Sequence, residues 1–442
     1  MRLVYWMNPI FFMGLWAIIA IIAFFTPDEI YDLLMRSAKV YSLDHLLVTL
    51  LALTVFAVFA FIGMVTVERN PNANKGFDSK MRLIFAEPVL LKTCLVFFSL
   101  VSLAYLVWFG PTLNAATIKA FLTGTIRARE VGNQVSGITT MTQFGVALSC
   151  IGAYGAIFCP NPKMKRIYLY MVVALFIFAV YRSFLWSERL ALIESVIPLT
   201  IVLVTCYNRG QKIILLLPVI GLVAVVAYFG AAEYFRSWNF YRDQDISMVY
   251  FAITRFLSYY LSSFNNLGMM IDNIEPTFEP LNSLRFIYKM PLPGFEVLNI
   301  RAAELWVNYK AALATYTNPE FNLFSGIGMA VSDFGVTGGV MVLTVHGFLS
   351  GRLYALMREG RLFGVFFYPV WMVGLMEFGR LLYWGNTRVF PAWLLLFIIA
   401  ILARSIYYRI HARKTVEREA RRERLVTQTG MPSFADSSAR SN

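Results

Sequence analysis

Residues 45–66 read HLLVTLLALTVFAVFAFIGMVT, from His45 to Thr66 without one Asp, Glu, Lys or Arg. At a rise of 1.5 Å per residue a helix of this length covers the roughly 30 Å hydrocarbon thickness of a bilayer. An isolated strand there would leave its backbone unpaired in lipid, so the stretch predicts a transmembrane helix. Working outward, nine more stretches are predominantly apolar, six of them with one or two charged residues, at 9–25, 89–109, 138–158, 167–185, 189–207, 213–231, 323–349, 362–380 and 389–408. Arg182, Glu188 and Arg189 in their connection leave the fifth and sixth spans short. The composition agrees: 58% hydrophobic and only 15% charged residues in 442, with a mean hydropathy of +0.61, exclude a soluble domain of this size. The expected fold class is all-α, a polytopic helical membrane protein of about ten spans with one large outer loop.

Four regions follow: a first membrane bundle at 1–231, a polar loop at 232–322, a second bundle at 323–410 and a basic tail at 411–442. Cytoplasmic loops retain Lys and Arg, and with the N-terminus inside, the inner segments hold 22 basic residues and the far longer outer segments 16. Both termini are therefore expected in the cytoplasm, with the 232–322 loop outside. The tail opens with Arg413, Lys414, Arg418, Arg421, Arg422 and Arg424 among glutamates and then turns serine-rich. This predicts a juxtamembrane helix drawn to anionic membrane lipid, followed by disorder, so the net charge of +13 does not imply nucleic-acid binding. The first apolar stretch lacks a small-residue cleavage site after it and is expected to remain as a span.

Arginines supply the sharpest chemistry. Arg182 and Arg189 flank the outer turn SFLWSE, Arg236 and Arg242 sit in EYFRSWNFYRDQD, and Arg255 follows on the loop. A guanidinium holds phosphate oxygens in a bidentate fork, which suits a lipid-linked diphosphate, although arginines also snorkel at helix ends. Trp238, Tyr241 and Tyr259 offer faces for sugar rings or form part of an interfacial belt. The stretch RFLSYYLSSFNNLGMMID is expected to be an amphipathic or re-entrant helix whose serines and asparagines face a polar substrate. Available outer carboxylates that would take a proton are Asp243, Asp245, Glu304 and Asp333; Glu304 also has Arg301 three residues before it, an ion pair by helix spacing. No metal site is expected, because the pair Asp243 and Asp245 is explained by its arginine neighbours and His45, His346 and His411 are scattered. His346 reads as a packing residue, and Cys94, Cys150, Cys159 and Cys206 fall in spans or at their inner ends, leaving no disulfide for an outer loop. Gly335 with Gly339 and Gly347 with Gly351, each four apart, predict close helix packing.

The layout of spans and outer loop, the arginine turn Ser187-Glu188-Arg189 and the block NPEFNLFSGIGMAVSDFGVTGGVMVLTVHGFLSGRLY at 318–354 resemble the bacterial oligosaccharide repeat-unit polymerases, the O-antigen or Wzy-type family. The likeness is better in the second half. It implies a GT-C-like bundle in a bacterial inner membrane that transfers a growing glycan from a polyprenyl diphosphate to an incoming lipid-linked repeat unit. It also implies that Arg189 binds diphosphate, with Arg236 and Arg242 as looser matches, and that a chain-length regulator and a flippase are partners. No cofactor is implied. Asn318 opens the block as a sugar-contacting candidate. The related O-antigen ligases carry a histidine ahead of the late glycine-rich helix, and 318–324 has none. A transporter or flippase would show broken helices, mid-membrane charges and internal repeats, which are not evident in the sequence. An acyltransferase would depend on His346, and no Walker-type glycine loop supports ATP use.

Overall fold

The computed structural model describes residues 4–69, 76–122, 137–186, 188–207, 213–236, 238, 247–290 and 293–429. Among these residues the chain is helical, without strands. The first bundle holds α1 Pro9–Phe25, α2 Asp28–Met35, α3 Leu43–Val65, α4 Phe77–Phe85, α5 Pro88–Phe109, α6 Ala115–Leu122, α7 Ile138–Met141, α8 Phe144–Phe158, α9 Pro162–Trp186, α10 Arg189–Tyr207 and α11 Ile213–Arg236. The polar loop contributes α12 Met248–Asn273, α13 Arg285–Tyr288 and α14 Glu296–Tyr316, and the second bundle α15 Gly326–Arg358, α16 Leu362–Glu377 and α17 Phe390–Thr429. Among the described residues eight helical stretches are, by length and composition, long and apolar enough to cross a membrane, and α1 and α16 are shorter apolar helices. The described residues are those of a helical membrane protein.

Local sequence sets the helix starts. Pro9 and Pro88 occupy first turns, where their missing N–H is not needed. Asn8 caps α1 by accepting from the Ile10 amide at 2.9 Å, and Ser325 caps α15 through the Gly328 amide at 3.0 Å. Asn161 accepts from the Lys163 amide at 2.9 Å and so starts α9 several residues before the expected 167. The fifth span is therefore not short; α9 runs 25 residues because the cap and Pro162 nucleate it through three basic residues. The fourth span is split between α7 and α8, which places Thr142 and Gln143 at the break. At the other extreme α17 continues without interruption through the juxtamembrane basic stretch to Thr429.

Glycines settle the central contact. The Cβ position of Gly347 falls against the Phe56 backbone, that of Gly351 against Ala60, and that of Gly63 against Phe348, so α3 and α15 touch backbone to backbone, as the second glycine pair predicts. The first pair does something else. Gly335 has φ 69° and ψ 179°, a region open essentially to glycine alone, and it breaks α15. A Cβ on Gly339 would lie 2.8 Å from the Val331 amide, so the segment before the break bends back onto the segment after it. The expected single helix at 323–349 is thus two, joined by a sharp turn.

The 232–322 loop is not simply an outer appendage, because α12 docks into the bundle. Tyr260 lies 5.7 Å from Trp16, halfway along α1, and Phe229 of α11 packs on Phe256 and Tyr259. The expected substrate-facing polar stripe of α12 is spent on protein. Asn265 accepts from the Val40 and Tyr41 amides and donates to the Ala38 carbonyl, Asn266 donates to the Phe321 and Leu323 carbonyls, and Ser263 bonds back to Tyr259. At the opposite end of the bundle Trp6 reaches the Ile214 carbonyl at 3.0 Å and Tyr154 the Val365 carbonyl at 3.2 Å. The four cysteines are free, three of them buried.

The α3–α15 contact yields a stability test. Gly351→Val is expected to lower stability by about 2–3 kcal/mol through backbone overlap, read as a clear drop in thermal unfolding temperature in detergent. Gly14→Ala, where nothing lies within 4 Å of the new Cβ, is expected to leave it unchanged or slightly raised.

Candidate functional site

After α16 the chain does not leave the bundle directly. Gly379 fits under the Trp16 ring, Tyr383 and Trp384 are buried, and the Trp384 indole donates to the Trp371 carbonyl at 3.0 Å. Trp384 stacks on Trp371 and on His346, whose ring is held by the Val342 carbonyl, which makes His346 the packing residue expected. Residues 378–389 therefore form a re-entrant segment that carries Arg380, Tyr383 and Arg388 inward.

Each of these meets a carboxylate. Arg388 binds Glu194 bidentately at 3.0 and 2.7 Å and also contacts Glu188, while the Tyr383 hydroxyl donates to Glu194 at 3.0 Å. Arg182 donates to Glu188 at 2.7 Å and to Thr142 at 3.0 Å, and its guanidinium lies 5.0 Å from the Trp108 ring centre. A small cavity of about 10 Å³ opens among Tyr105, Thr142, Gln143, Arg182, Glu194 and Ser195, close to the volume one water requires. Burial and the charges of Glu194 and Glu377 push the Tyr383 phenol well up, so it stays a neutral donor.

Across the re-entrant segment the seam continues. Arg380 pairs with Glu377 at 2.8 Å and its guanidinium lies 5.5 Å from the Tyr259 ring centre and 5.9 Å from that of Tyr260. Arg255 lies 5.9 Å from the same Tyr259 ring, between Glu233 at 3.6 Å and the carboxylate of Glu320. Burial pulls the Arg255 proton affinity down, but Glu320 and Glu233 outweigh it and keep the cation firmly charged. Among the described residues the Arg380 Nε–H has no hydrogen-bond partner. The result is a row of four arginines and five glutamates with tyrosines between them, running from α9 and α10 to α11 and α12.

The sequence-selected residues distribute unevenly over this seam. Arg182, Arg255 and Tyr259 lie in it. Arg189 is the first residue of α10 and Arg236 the last of α11, with their side chains outside the described part; Tyr241, Arg242, Asp243 and Asp245 also lie outside the described residues. Trp238 packs on Phe251, and the Asn318 side chain donates to the Met35 carbonyl at 2.8 Å, so both serve packing of the loop. Glu304 sits 3.6 Å from Arg301, exposed, as the helix ion pair its spacing suggests. Asp333 is fully buried and accepts from the Asn282 and Ser283 amides, at 3.0 and 2.7 Å, and from the Asn282 side chain. That geometry supports a structural clasp and gives no support to Asp333 as a base.

Sequence reading missed Glu194, Glu233, Glu320, Glu377, Arg380, Tyr383 and Arg388. The available signal was Glu194, Glu233 and Glu377 inside or beside apolar spans, where a carboxylate is expensive and calls for a partner. Comparison with protein-family models, with curated proteins and with solved structures returned no match.

Loss of one partner of a buried pair leaves the other uncompensated. Glu194→Leu is expected to lower stability by about 3–5 kcal/mol. Adding Arg388→Met in the same chain should recover part of that loss, so thermal unfolding of the two single variants and the double variant gives a strongly non-additive cycle.

Proposed function

We propose that the chain is a glycosyltransferase-type polymerase, which joins oligosaccharide repeat units carried on polyprenyl diphosphate at the outer face of a bacterial inner membrane. The observation that carries this reading is the pair Arg255 and Arg380 around Tyr259, with a spare donor on Arg380. Two guanidinium groups at one aromatic suit a diphosphate with a sugar attached, and the arrangement neutralises leaving-group charge without needing a metal. Glu320, whose side chain is 35% exposed, is the most accessible carboxylate of the seam, and an incoming diphosphate would displace it from Arg255. The released carboxylate then takes the acceptor hydroxyl proton as the new glycosidic bond forms and the bond from the sugar carbon to the diphosphate breaks. The resemblance in 318–354, which contains Glu320, favours the same chemistry. Ten spans, cytoplasmic termini, and a flippase and a chain-length regulator as partners complete the proposal, with orientation supported by the distribution of Lys and Arg.

A second reading has its own support. The break at Gly335 and the re-entrant segment 378–389 are features of transporters, and the sequence did not disclose them. A flippase for lipid-linked sugar is the alternative they favour.

One experiment separates the two: the length distribution of lipid-linked and surface glycan in cells lacking the gene, complemented by wild type, Arg255→Gln or Arg380→Gln. Polymerase activity predicts single repeat units accumulating on lipid at the outer leaflet. In either variant, present at the wild-type protein level, polymer is expected to fall at least about 100-fold. Repeat units trapped on the inner leaflet indicate the flippase, and an unchanged glycan profile rejects both readings.

A further inference from the structure

The loop contains a second site, in which cations rather than ion pairs sit on a largely apolar cavity wall. Between α13, α14 and the end of α12 lies a cavity of about 40 Å³, room for a few waters or one compact oxyanion. Arg285, Lys289, Asn282, Trp306, Tyr309 and Ser332 line it. The Arg285 guanidinium lies 5.3 Å from the Trp306 ring centre, and the Lys310 ammonium lies 5.9 Å from the same centre.

Among the described residues none of these three cations has a carboxylate partner. Among the described residues neither Arg285, Lys289 nor Lys310 forms an ion pair, whereas Arg182, Arg255, Arg380 and Arg388 each have at least one. Neighbouring carboxylates are already engaged: Glu279 faces Arg301 at 3.4 Å, Asp333 holds the 282–283 amides, and Glu296 accepts from the Gly294 amide. Burial, then Arg285 and Lys310, pull the Lys289 amine down to about 8, and burial also lowers Arg285. Like charges gathered in a half-buried pocket repel one another and lose hydration, so the empty site is destabilised in a way an anion would relieve.

We infer that this cavity binds a phosphate-sized oxyanion, held by Arg285 and Lys289 with Lys310 at its rim. The same chemistry is offered by free phosphate or by an anionic lipid headgroup at the membrane surface. This inference rests on the cavity and its cations, independently of the transferase reading.

The test uses the full chain in phosphatidylcholine nanodiscs, with thermal unfolding followed against inorganic phosphate and, separately, against a fraction of phosphatidic acid in the disc. Saturable stabilisation by phosphate assigns a soluble anion; stabilisation by phosphatidic acid that then blunts the phosphate response assigns the headgroup. In Arg285→Gln/Lys289→Gln the response should weaken at least tenfold, while the ligand-free protein unfolds at the same or a higher temperature because repulsion is removed. That control separates a lost site from a lost fold. Identical responses in wild type and variant, or no response to either anion, overturn the inference. Sulfate, whose charge is constant, adds a pH arm. Lys289 is faced by Arg285 from its own turn and by Lys310 from α14, and the Tyr309 phenol on the same cavity wall is raised by burial and stays neutral. A lowered lysine is charged below its pKa and neutral above it, so sulfate affinity should fall as pH rises from 7 to 9.5. A flat profile counts against Lys289.

Discussion

A charge inside an apolar bundle must be answered by an opposite charge or by a full set of hydrogen bonds, and the architecture at the loop end follows from that constraint. Glu194 and Glu377 are almost wholly buried, and each draws an arginine inward from residues 378–389. Re-entry of that segment is thus an electrostatic requirement as much as a packing one. With Arg388 on Glu194 and Arg380 on Glu377, the segment is pinned to α10 and α16, and its tyrosine and tryptophan fill the space between.

The clasp at Asp333 supports the same segment from behind. Its carboxylate organises the 282–283 turn, and the Cβ position of Gly385 falls against the Ser283 carbonyl of that turn. Asp333 is exposed to this role by the break at Gly335, which turns the first part of α15 towards the loop. A buried acid, a backbone turn and a glycine therefore form one mechanical path from α15 to Arg380 and Arg388. In this path Asp333 acts by positioning, which accounts for an ionisable residue in a membrane helix without assigning it chemistry.

Two kinds of cationic site coexist, one buried in the bundle and one in the loop. Seam arginines are matched by glutamates, so apart from the spare Arg380 Nε–H they would take up an anion by exchanging a carboxylate for it. Arg285 and Lys289 have nothing to exchange and attract an anion outright. The first arrangement suits reversible engagement of a reacting group; the second suits a resident or anchoring ion.

Helix existence and approximate position were legible in the sequence, because a run such as 45–66 admits only one backbone conformation in lipid. That this part of α15 packs closely against another helix was legible too, in Gly347 and Gly351, but that the partner is α3 was not. Arg182, Arg255 and Tyr259 could be selected from residue type and spacing. Their partners could not: Arg388 and Glu194 are 194 positions apart, and Arg255 and Glu320 65. Which charges are paired and which are left open, and whether α12 lies outside the bundle or within it, are settled by where distant segments meet. Local composition determines that a helix forms and that it is apolar. Only tertiary packing determines the company each buried charge keeps, because desolvation and Coulomb energy depend on distances in space and not along the chain.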